Sequence, residues 1–138
     1  MSRFKFDFLK IGPHKRPLIN IQIAYQGKSI NNLALIDSGA DFNVFDIEIG
    51  KVLGIDLSGS KEVKFTGVGN RRFELIGKMA IVTLMVFKKG DSHSFDAPVI
   101  FTDQLPGNGT ALLGETGFFD QFEEITFYYK RGKIILET

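Results

Sequence analysis

The sequence predicts a mostly β fold, either a small barrel or a sandwich, and three observations lead to this prediction. Short runs of alternating apolar and polar residues recur along the chain, as in half-buried strands. Turn-forming Gly, Pro, Asn and Asp residues separate these runs at short intervals. The aromatic residues are 14 Phe and 3 Tyr with no Trp, and phenylalanine favours strands. About eight to ten short strands and two short helices account for the chain.

The first third of the chain carries the clearest strand pattern. Residues 4–8 alternate phenylalanine with charged side chains, which has the period of two that a half-buried strand requires. Residues 18–25 place isoleucines on one face, and residues 26–28 predict a hairpin turn. The returning strand, 29–36, ends in four apolar residues, which indicates burial on both faces.

The rest of the chain alternates short strands with turns and two short helices. Asp46 is placed to cap a helix over 47–53, and Gly54 is its expected C-terminal stop. A second short helix is expected over 116–122. The remaining strands are expected at residues 63–65, 75–87, 92–101, 111–114, 125–129 and 133–136.

Length and composition limit the classes of protein. A chain of 138 residues predicts one domain, 1–138, in which 1–16 form an N-terminal strand or extension. Seventeen Lys and Arg against sixteen Asp and Glu argue against a nucleic-acid or membrane partner. The absence of Cys excludes thiolate nucleophiles. No apolar run reaches the ~18 residues of a membrane span, and the N-terminus lacks a signal-peptide pattern, so a cytoplasmic protein is expected.

The sequence predicts neither a metal nor a cofactor. His14 and His93 are isolated along the chain and have no partner at the spacing that metal ligands require. Both are expected to be ordinary structural histidines.

The chemically informative segment is Ala-Leu-Ile-Asp-Ser-Gly-Ala-Asp, residues 34–41. A predicted buried apolar strand leads directly into Asp37. Placing an ionisable group there costs free energy, which indicates that the charge has either a stabilising partner or a functional role. Gly39 permits a sharp turn just after the acid. This arrangement holds a carboxylate rigidly at the end of a strand. The ordinary alternative is a strand that ends in an Asx turn.

Three segments, in this order, resemble the retropepsin-type aspartic proteases, in particular the single-domain cellular members. The first is the active-site motif Leu-Ile-Asp-Ser-Gly-Ala at 35–40. The second is the Gly-rich segment Phe-Thr-Gly-Val-Gly-Asn at 65–70, which is placed like the family's flap. The third is Ala-Leu-Leu-Gly at 111–114, which looks like the segment that packs beside the active-site loop. The resemblance spans roughly residues 17–138.

The resemblance implies a small closed β-barrel with one or two short helices that acts as an aspartic endopeptidase on peptides or proteins. Asp37, Ser38 and Gly39 would form the catalytic loop. The substrate-binding residues that it implies are Ala40, Asp41, Thr66, Gly67, Val68 and Gly69.

Peptide hydrolysis of this kind needs two carboxylates that share one proton, because like charges a few ångströms apart cannot both ionise. This sequence contains one apolar-Asp-Ser/Thr-Gly loop, so a single chain supplies half of the site. A homodimer with two-fold symmetry would bring Asp37 and its symmetry mate together. In that dimer Ser38 would hydrogen-bond across the two loops.

One position departs from the family pattern. In the family, the glycine of the third segment is commonly followed by an Arg that pairs with the acid four residues after the catalytic one. Here that acid is Asp41, and the residue after Gly114 is Glu115. Glu115 is expected at the N-terminus of the second helix, where the helix dipole favours an acid. Candidate cations for Asp41 are then Arg71, Arg72 and Arg131.

Three other functions remain open. The first is a catalytically weak or inactive peptide-binding or assembly module on the same fold, which the Glu115 departure favours. The second is a β-barrel that binds nucleic acid, which the near-neutral charge opposes. The third is a glycosidase, which needs a second placed carboxylate; Asp41 is too close in the chain to Asp37 for that role.

Overall fold

A computed structural model describes residues 1–66, 74–105 and 109–138. Over these ranges the chain forms twelve strands, one α-helix and one 3-10 helix. The strands are β1 (Arg3–Asp7), β2 (Leu9–Ile11), β3 (His14–Arg16), β4 (Leu18–Tyr25), β5 (Lys28–Ile36), β6 (Asn43–Asp46), β7 (Glu62–Thr66), β8 (Glu74–Lys88), β9 (Asp91–Thr102), β10 (Ala111–Leu113), β11 (Glu124–Tyr128) and β12 (Lys133–Glu137). The α-helix α1 is Ile47–Val52, and the 3-10 helix is Phe119–Gln121.

Six strands close into a barrel, which confirms the predicted fold class. Their order is β4-β5-β10-β6-β9-β8, and β8 pairs back with β4 through Gln22↔Met85, Ile23↔Leu84 and Ala24↔Thr83. Strand β7 adds to the outer end of β8. Because the sheet closes on itself, each of the six strands has a paired neighbour on both sides.

The barrel interior is lined as the period-two pattern of β4 predicts. Ile19, Ile21 and Ile23 are fully buried, whereas the intervening Asn20 is exposed. Several phenylalanines fill the rest of the core: Phe4, Phe8, Phe45, Phe95, Phe101, Phe118 and Phe122 are all buried. The skew toward Phe in the composition therefore reflects aromatic packing inside the barrel.

The predicted long strand over 75–87 is confirmed as part of β8, and Gly77 is the reason why it packs closely on β9. A Cβ at Gly77 would lie 2.4 Å from Cγ2 of Ile100 and 2.8 Å from the carbonyl oxygen of Phe101. Only a residue without a side chain permits that approach of backbone to backbone.

The chain termini form a second, three-stranded sheet with the order β1-β12-β11. Its central strand, β12, carries the buried residues Ile134, Ile135 and Leu136. Ion pairs lie near both ends of the β1–β12 pairing, between Arg3 and Glu137 and between Asp7 and Lys133.

Strands β2 and β3 form a hairpin within residues 1–16, the predicted N-terminal extension. The sequence pattern did not predict these two strands. The register is Leu9↔Arg16, Lys10↔Lys15 and Ile11↔His14. All six strand residues are exposed. Because neither strand has a buried face, the sequence carries no apolar alternation by which to recognise them.

The predicted helix α1 is confirmed with Asp46 as its N-cap, whereas the second short helix, predicted over 116–122, is confirmed only over three residues. Only the 3-10 helix Phe119–Gln121 forms in that region. Gly117 adopts a φ of +99°, which no helical residue has. Phe118 and Phe122 instead turn into the core, where their ring centroids lie 5.1 Å apart. No helix in the described ranges is long and apolar enough to cross a membrane.

Candidate functional site

Asp37 is the first residue after β5 and lies between two neighbouring strands. Its backbone N–H donates a hydrogen bond of 3.0 Å to the carbonyl of Leu113, at the end of β10. On the other side, the N–H of Ile36 donates to the carbonyl of Pro17, just before β4 begins. Strand β10 runs parallel to β5 and β4 runs antiparallel to it. The end of β5, the end of β10 and the start of β4 therefore meet at one rim of the barrel.

The carboxylate of Asp37 is held by its own loop. The N–H of Gly39 donates a hydrogen bond of 2.9 Å to Oδ1 of Asp37, and the N–H of Ala40 donates to the Asp37 carbonyl at 3.1 Å. The Asp37 side chain is half-buried. Within the part of the chain that is described, Oδ2 has no hydrogen-bond partner. One oxygen is thus fixed by the backbone while the other is available to a ligand or a second carboxylate.

The remaining residues of the predicted loop form its outer surface. Ser38, Gly39 and Asp41 are exposed, and Ala40 is half-buried. A Cβ at Gly39 would lie 3.2 Å from Oδ1 of Asp37, so the glycine leaves room for the carboxylate. Asp37, Ser38, Gly39, Ala40 and Asp41 therefore lie together at the barrel rim.

The third predicted segment packs directly against this loop. The N–H of Glu115 donates to the carbonyl of Ala40 and the N–H of Thr116 to that of Asp41, both at 2.9 Å. A Cβ at Gly114 would lie 2.5 Å from the carbonyl oxygen of Phe42 and 2.7 Å from that of Ala40. Glycine at 114 is therefore required for the close approach of the two backbones.

Asn43 is a supporting residue that sequence reasoning missed. Its side chain is fully buried, accepts a hydrogen bond of 3.0 Å from the N–H of Gly114, and donates one of 3.2 Å to the carbonyl of Pro98. The amide thereby joins β6 to β9 and to the end of β10. The signal in the sequence was a single Asn just before the apolar Val44 and Phe45, which is too short a pattern to show burial.

The expected position of Glu115 at a helix N-terminus is wrong, because no α-helix follows it. Glu115 and Asp41 are both exposed and lie on adjacent backbone segments. Among the residues that the structure describes, no Lys or Arg pairs with either carboxylate. Arg131 lies over the ring of Tyr128.

The predicted flap lies mostly outside the described residues. Strand β7 ends at Thr66, which pairs with Glu74 at the start of β8. Gly67, Val68 and Gly69, and also Arg71 and Arg72, lie in the range 67–73, which the structure does not describe.

A histidine and a surface groove lie apart from the Asp37 loop. His93 packs against the rings of Phe95 and Phe122 with centroids 5.5 Å away, and its buried Nε2 has no hydrogen-bond partner among the described residues. Over the described ranges, no cluster of three or more His, Asp or Glu residues could hold a metal ion. A groove of about 300 Å³ lies between β1, β2, β4 and β8 and contains no residue of the predicted site.

Comparisons with known proteins agree with this geometry at the level of the fold. No protein-family model matches the sequence, and no curated protein matches it. Among solved structures, the chain is similar to a retropepsin-like aspartic protease from Rickettsia conorii. That match has 14% identity and a TM-score of 0.62, and it covers 98% of this chain and 90% of the other. It is also similar to the EIAV protease complexed with the inhibitor HBY-793, with 23% identity, a TM-score of 0.45, and 77% and 88% of the two chains covered.

The chain therefore has a retropepsin-like fold, as the sequence resemblance implied. The match to the Rickettsia protein extends over nearly the whole chain, so it includes the barrel and the terminal sheet.

Proposed function

We propose that the protein is an aspartic endopeptidase that acts as a homodimer, with one Asp37 from each chain. The observation that carries this proposal is the position of Asp37 at the barrel rim, where the parallel strands β5 and β10 both end, with Oδ1 held by the Gly39 N–H in an Asx turn. This hydrogen bond orients a half-buried carboxylate at the barrel rim and leaves Oδ2 free. Ser38 and Gly39 are exposed beside it, so a second copy can approach.

The proposed chemistry uses two carboxylates and one water. When two Asp37 side chains meet, mutual repulsion leaves them with one shared proton. The ionised carboxylate takes a proton from a water held between the two, and this water attacks the scissile carbonyl carbon. The protonated carboxyl polarises the carbonyl oxygen. The pair titrates as a unit, so neither role belongs permanently to one chain.

The substrate is expected to lie as an extended peptide across both loops. Ala40 and Asp41 flank Asp37 on the same rim, and their carbonyls already accept hydrogen bonds from Glu115 and Thr116. We propose the segment from Thr66 to Gly69 as the cover over the peptide, which would exclude water. The backbone N–H and C=O groups of that segment would pair with the substrate as with an added strand.

The direct test is the substitution Asp37→Asn, assayed on an unfolded protein and on a peptide library at mildly acidic pH. We expect cleavage to fall by roughly a thousandfold or more, since the general base is lost. Asp103→Asn, which makes the same change at an exposed loop position, should retain activity. Circular dichroism and thermal unfolding should be the same for both variants. Full activity in Asp37→Asn would contradict the proposal.

Mixed dimers test whether the site is shared. Wild-type chains are mixed with an equal amount of Asp37→Asn chains and allowed to exchange subunits. If both carboxylates are needed, only dimers with two wild-type chains cleave, which is about one quarter of the total. A chain with a complete site of its own would retain half of the activity.

A second candidate is a peptide-binding or assembly module on the same fold without turnover. It is favoured by two exposed carboxylates beside the loop, Asp41 and Glu115, with which no Lys or Arg of the described residues pairs. Stable peptide binding by the wild-type chain, with no cleavage from acidic to neutral pH, would select this function.

A further inference from the structure

The groove between β1 and β4, which we refer to as the β1–β4 groove, contains no residue of the Asp37 loop. Its volume is about 300 Å³, and its walls are mostly apolar, with Phe6, Leu18, Ile19 and Phe87 among them. This volume is at the lower end of the range for ligand sites. It is therefore suited to one or two side chains of a larger partner.

Two strands have an unpaired edge along this groove. Strand β1 pairs with β12 on one side and with no described strand on the other. Strand β4 pairs with β8 only through residues 22–24. Phe87 and Lys88 of β8 would continue this pairing opposite Asn20 and Ile19, but they line the groove instead. Unpaired backbone groups at a strand edge can bind another extended chain.

The alternation of β1 determines what an added strand would meet. Phe4 is buried and Phe6 packs against the core, whereas Lys5 and Asp7 are exposed. Lys88 lies over the ring of Phe6, 5.2 Å from its centroid. Successive residues of a strand paired with β1 therefore point alternately into the groove beside Phe6 and outward beside Lys5. One face of such a strand meets apolar groups and the other meets charges.

The charged groups beside the groove carry an excess of positive charge. The hydrogen bond from Lys133, together with its charge and those of Lys88 and Lys5, lowers the pKa of Asp7. Three cations thus share one carboxylate. Asp91 lies opposite Lys88 in the register, but none of the ion pairs among the described residues involves Lys88 or Lys5. An acidic side chain of a bound chain would therefore be stabilised here.

We propose that the β1–β4 groove binds an extended peptide segment of a partner protein in which apolar and acidic residues alternate. The segment pairs with the free edge of β1, its apolar side chains enter the groove beside Phe6 and Phe87, and its acidic side chains lie near Lys5 and Lys88. Backbone pairing supplies affinity, while the alternate side chains select the partner. The site uses no residue of the Asp37 loop, so it does not depend on the proposed activity.

The test uses a fluorescein-labelled heptapeptide in which Glu alternates with Val or Phe, and the Asp37→Asn chain, so that the probe is not cleaved. Fluorescence anisotropy should show saturable binding, and amide hydrogen exchange followed by NMR should show new protection in residues 3–7. Lys88→Glu in the same chain should weaken binding by about tenfold or more, because repulsion replaces attraction. Lys61→Glu makes the same charge change at an exposed position away from the groove and should leave the affinity unchanged.

Altered peptides separate strand addition from other kinds of binding. A peptide with Lys in place of every Glu should not bind, because the groove is already surrounded by cations. N-methylation at every second residue removes the N–H groups along one edge of the peptide. Of the two peptides methylated in this way, at least one should bind about tenfold more weakly or worse, because it loses the hydrogen bonds to the edge of β1.

Each contrary result overturns the proposal for a different reason. Absence of saturable binding, or equal binding by Lys88→Glu, shows that the groove does not select an acidic peptide. New protection confined to residues 37–41 shows that the peptide lies at the Asp37 loop instead. Unchanged affinity for both N-methylated peptides excludes strand addition. Self-association of the chain through β1, without peptide binding, assigns the edge to a second copy. None of these results bears on the proposed activity, which is measured as cleavage that depends on Asp37.

Discussion

The backbone N–H of Gly114 donates a hydrogen bond of 3.0 Å to Oδ1 of Asn43, and both residues are buried. The Asn43 side chain also donates to the carbonyl of Pro98. One amide thus bonds to polar groups in β9 and just after β10, next to the segment that packs on the Asp37 loop. Buried polar groups of this kind cost free energy when they lose their partners.

Asn43→Ala should lower the free energy of unfolding by about 2–4 kcal/mol. The substitution removes the partner of the buried Gly114 N–H and one partner of the half-buried Pro98 carbonyl, and it opens a small cavity. Urea unfolding followed by circular dichroism measures the change. The matched control is Asn31→Ala, at an exposed position of β5, which should change stability by less than about 0.5 kcal/mol. Equal urea midpoints for the two variants would show that the buried amide is not a structural link.

Gly114→Ala should disturb both stability and the proposed activity. The added Cβ would lie 2.5 Å from the Phe42 carbonyl oxygen and 2.7 Å from that of Ala40, so the Asp37 loop must move away. We expect a loss of about 2 kcal/mol or more, as for overpacking against a backbone that cannot yield. Gly59→Ala is the control, since a Cβ there meets nothing within 4 Å. Thermal unfolding of the two variants, measured side by side, tests the difference.

Gly39→Ala should lower the proposed activity much more than it lowers stability. The new methyl group would lie 3.2 Å from Oδ1 of Asp37, so the carboxylate must shift by a few tenths of an ångström in an exposed loop. Small displacements of a reacting group lower rates strongly, and roughly a tenfold to hundredfold loss in kcat/KM is expected. Peptide cleavage and thermal unfolding are measured on the same preparation. An unchanged kcat/KM would indicate that the position of this carboxylate is not critical.

Asp7 should contribute to the acid sensitivity of the terminal sheet. The hydrogen bond from Lys133, together with its charge and those of Lys88 and Lys5, lowers the pKa of Asp7 below its ordinary value of 3.8. Because the folded-state pKa is below the unfolded one, the stabilisation is present above about pH 4 and is lost as the pH falls through the folded-state pKa. In Asp7→Asn the free energy of unfolding should therefore fall less steeply below pH 4 than in the wild type.

The control for this effect is Asp103→Asn, because Asp103 is an exposed carboxylate that forms none of the ion pairs found among the described residues. Its pH profile should follow that of the wild type. The measurement is the urea midpoint from pH 2 to pH 6. A profile for Asp7→Asn that is parallel to the wild type throughout would exclude the contribution of the Asp7–Lys133 pair.

Patterns with a regular period were sufficient to predict much of this fold. The alternation in residues 18–25 predicted which side of β4 is buried, and the apolar run before Asp37 predicted a strand that ends at this aspartate, which is β5. These predictions succeed because a strand with one buried face needs apolar side chains at every second position. The resemblance in three segments added the closed barrel.

Elements without a regular alternation of apolar and polar residues could not be predicted from the sequence. The four residues of β6 are too few to show an alternation, and the exposed strands β2 and β3 bury nothing. Residues 116–122 have the apolar spacing of a helix, but Gly117 is held at a φ of +99° beside Pro98 and Asn43. Tertiary contacts there override the local preference.

The sequence by itself determined a β-rich barrel, a single Asp-Ser-Gly loop per chain, and a glutamate where the resemblance leads one to expect an arginine. Only the tertiary structure decided what surrounds that loop: the start of β4 on one side, the end of β10 on the other, and the buried amide of Asn43 bound to the N–H of Gly114. The physical reason is that burial and charge pairing depend on which strands become neighbours. Strand β10 meets β4 and β5 at one rim although it lies far from both in the chain.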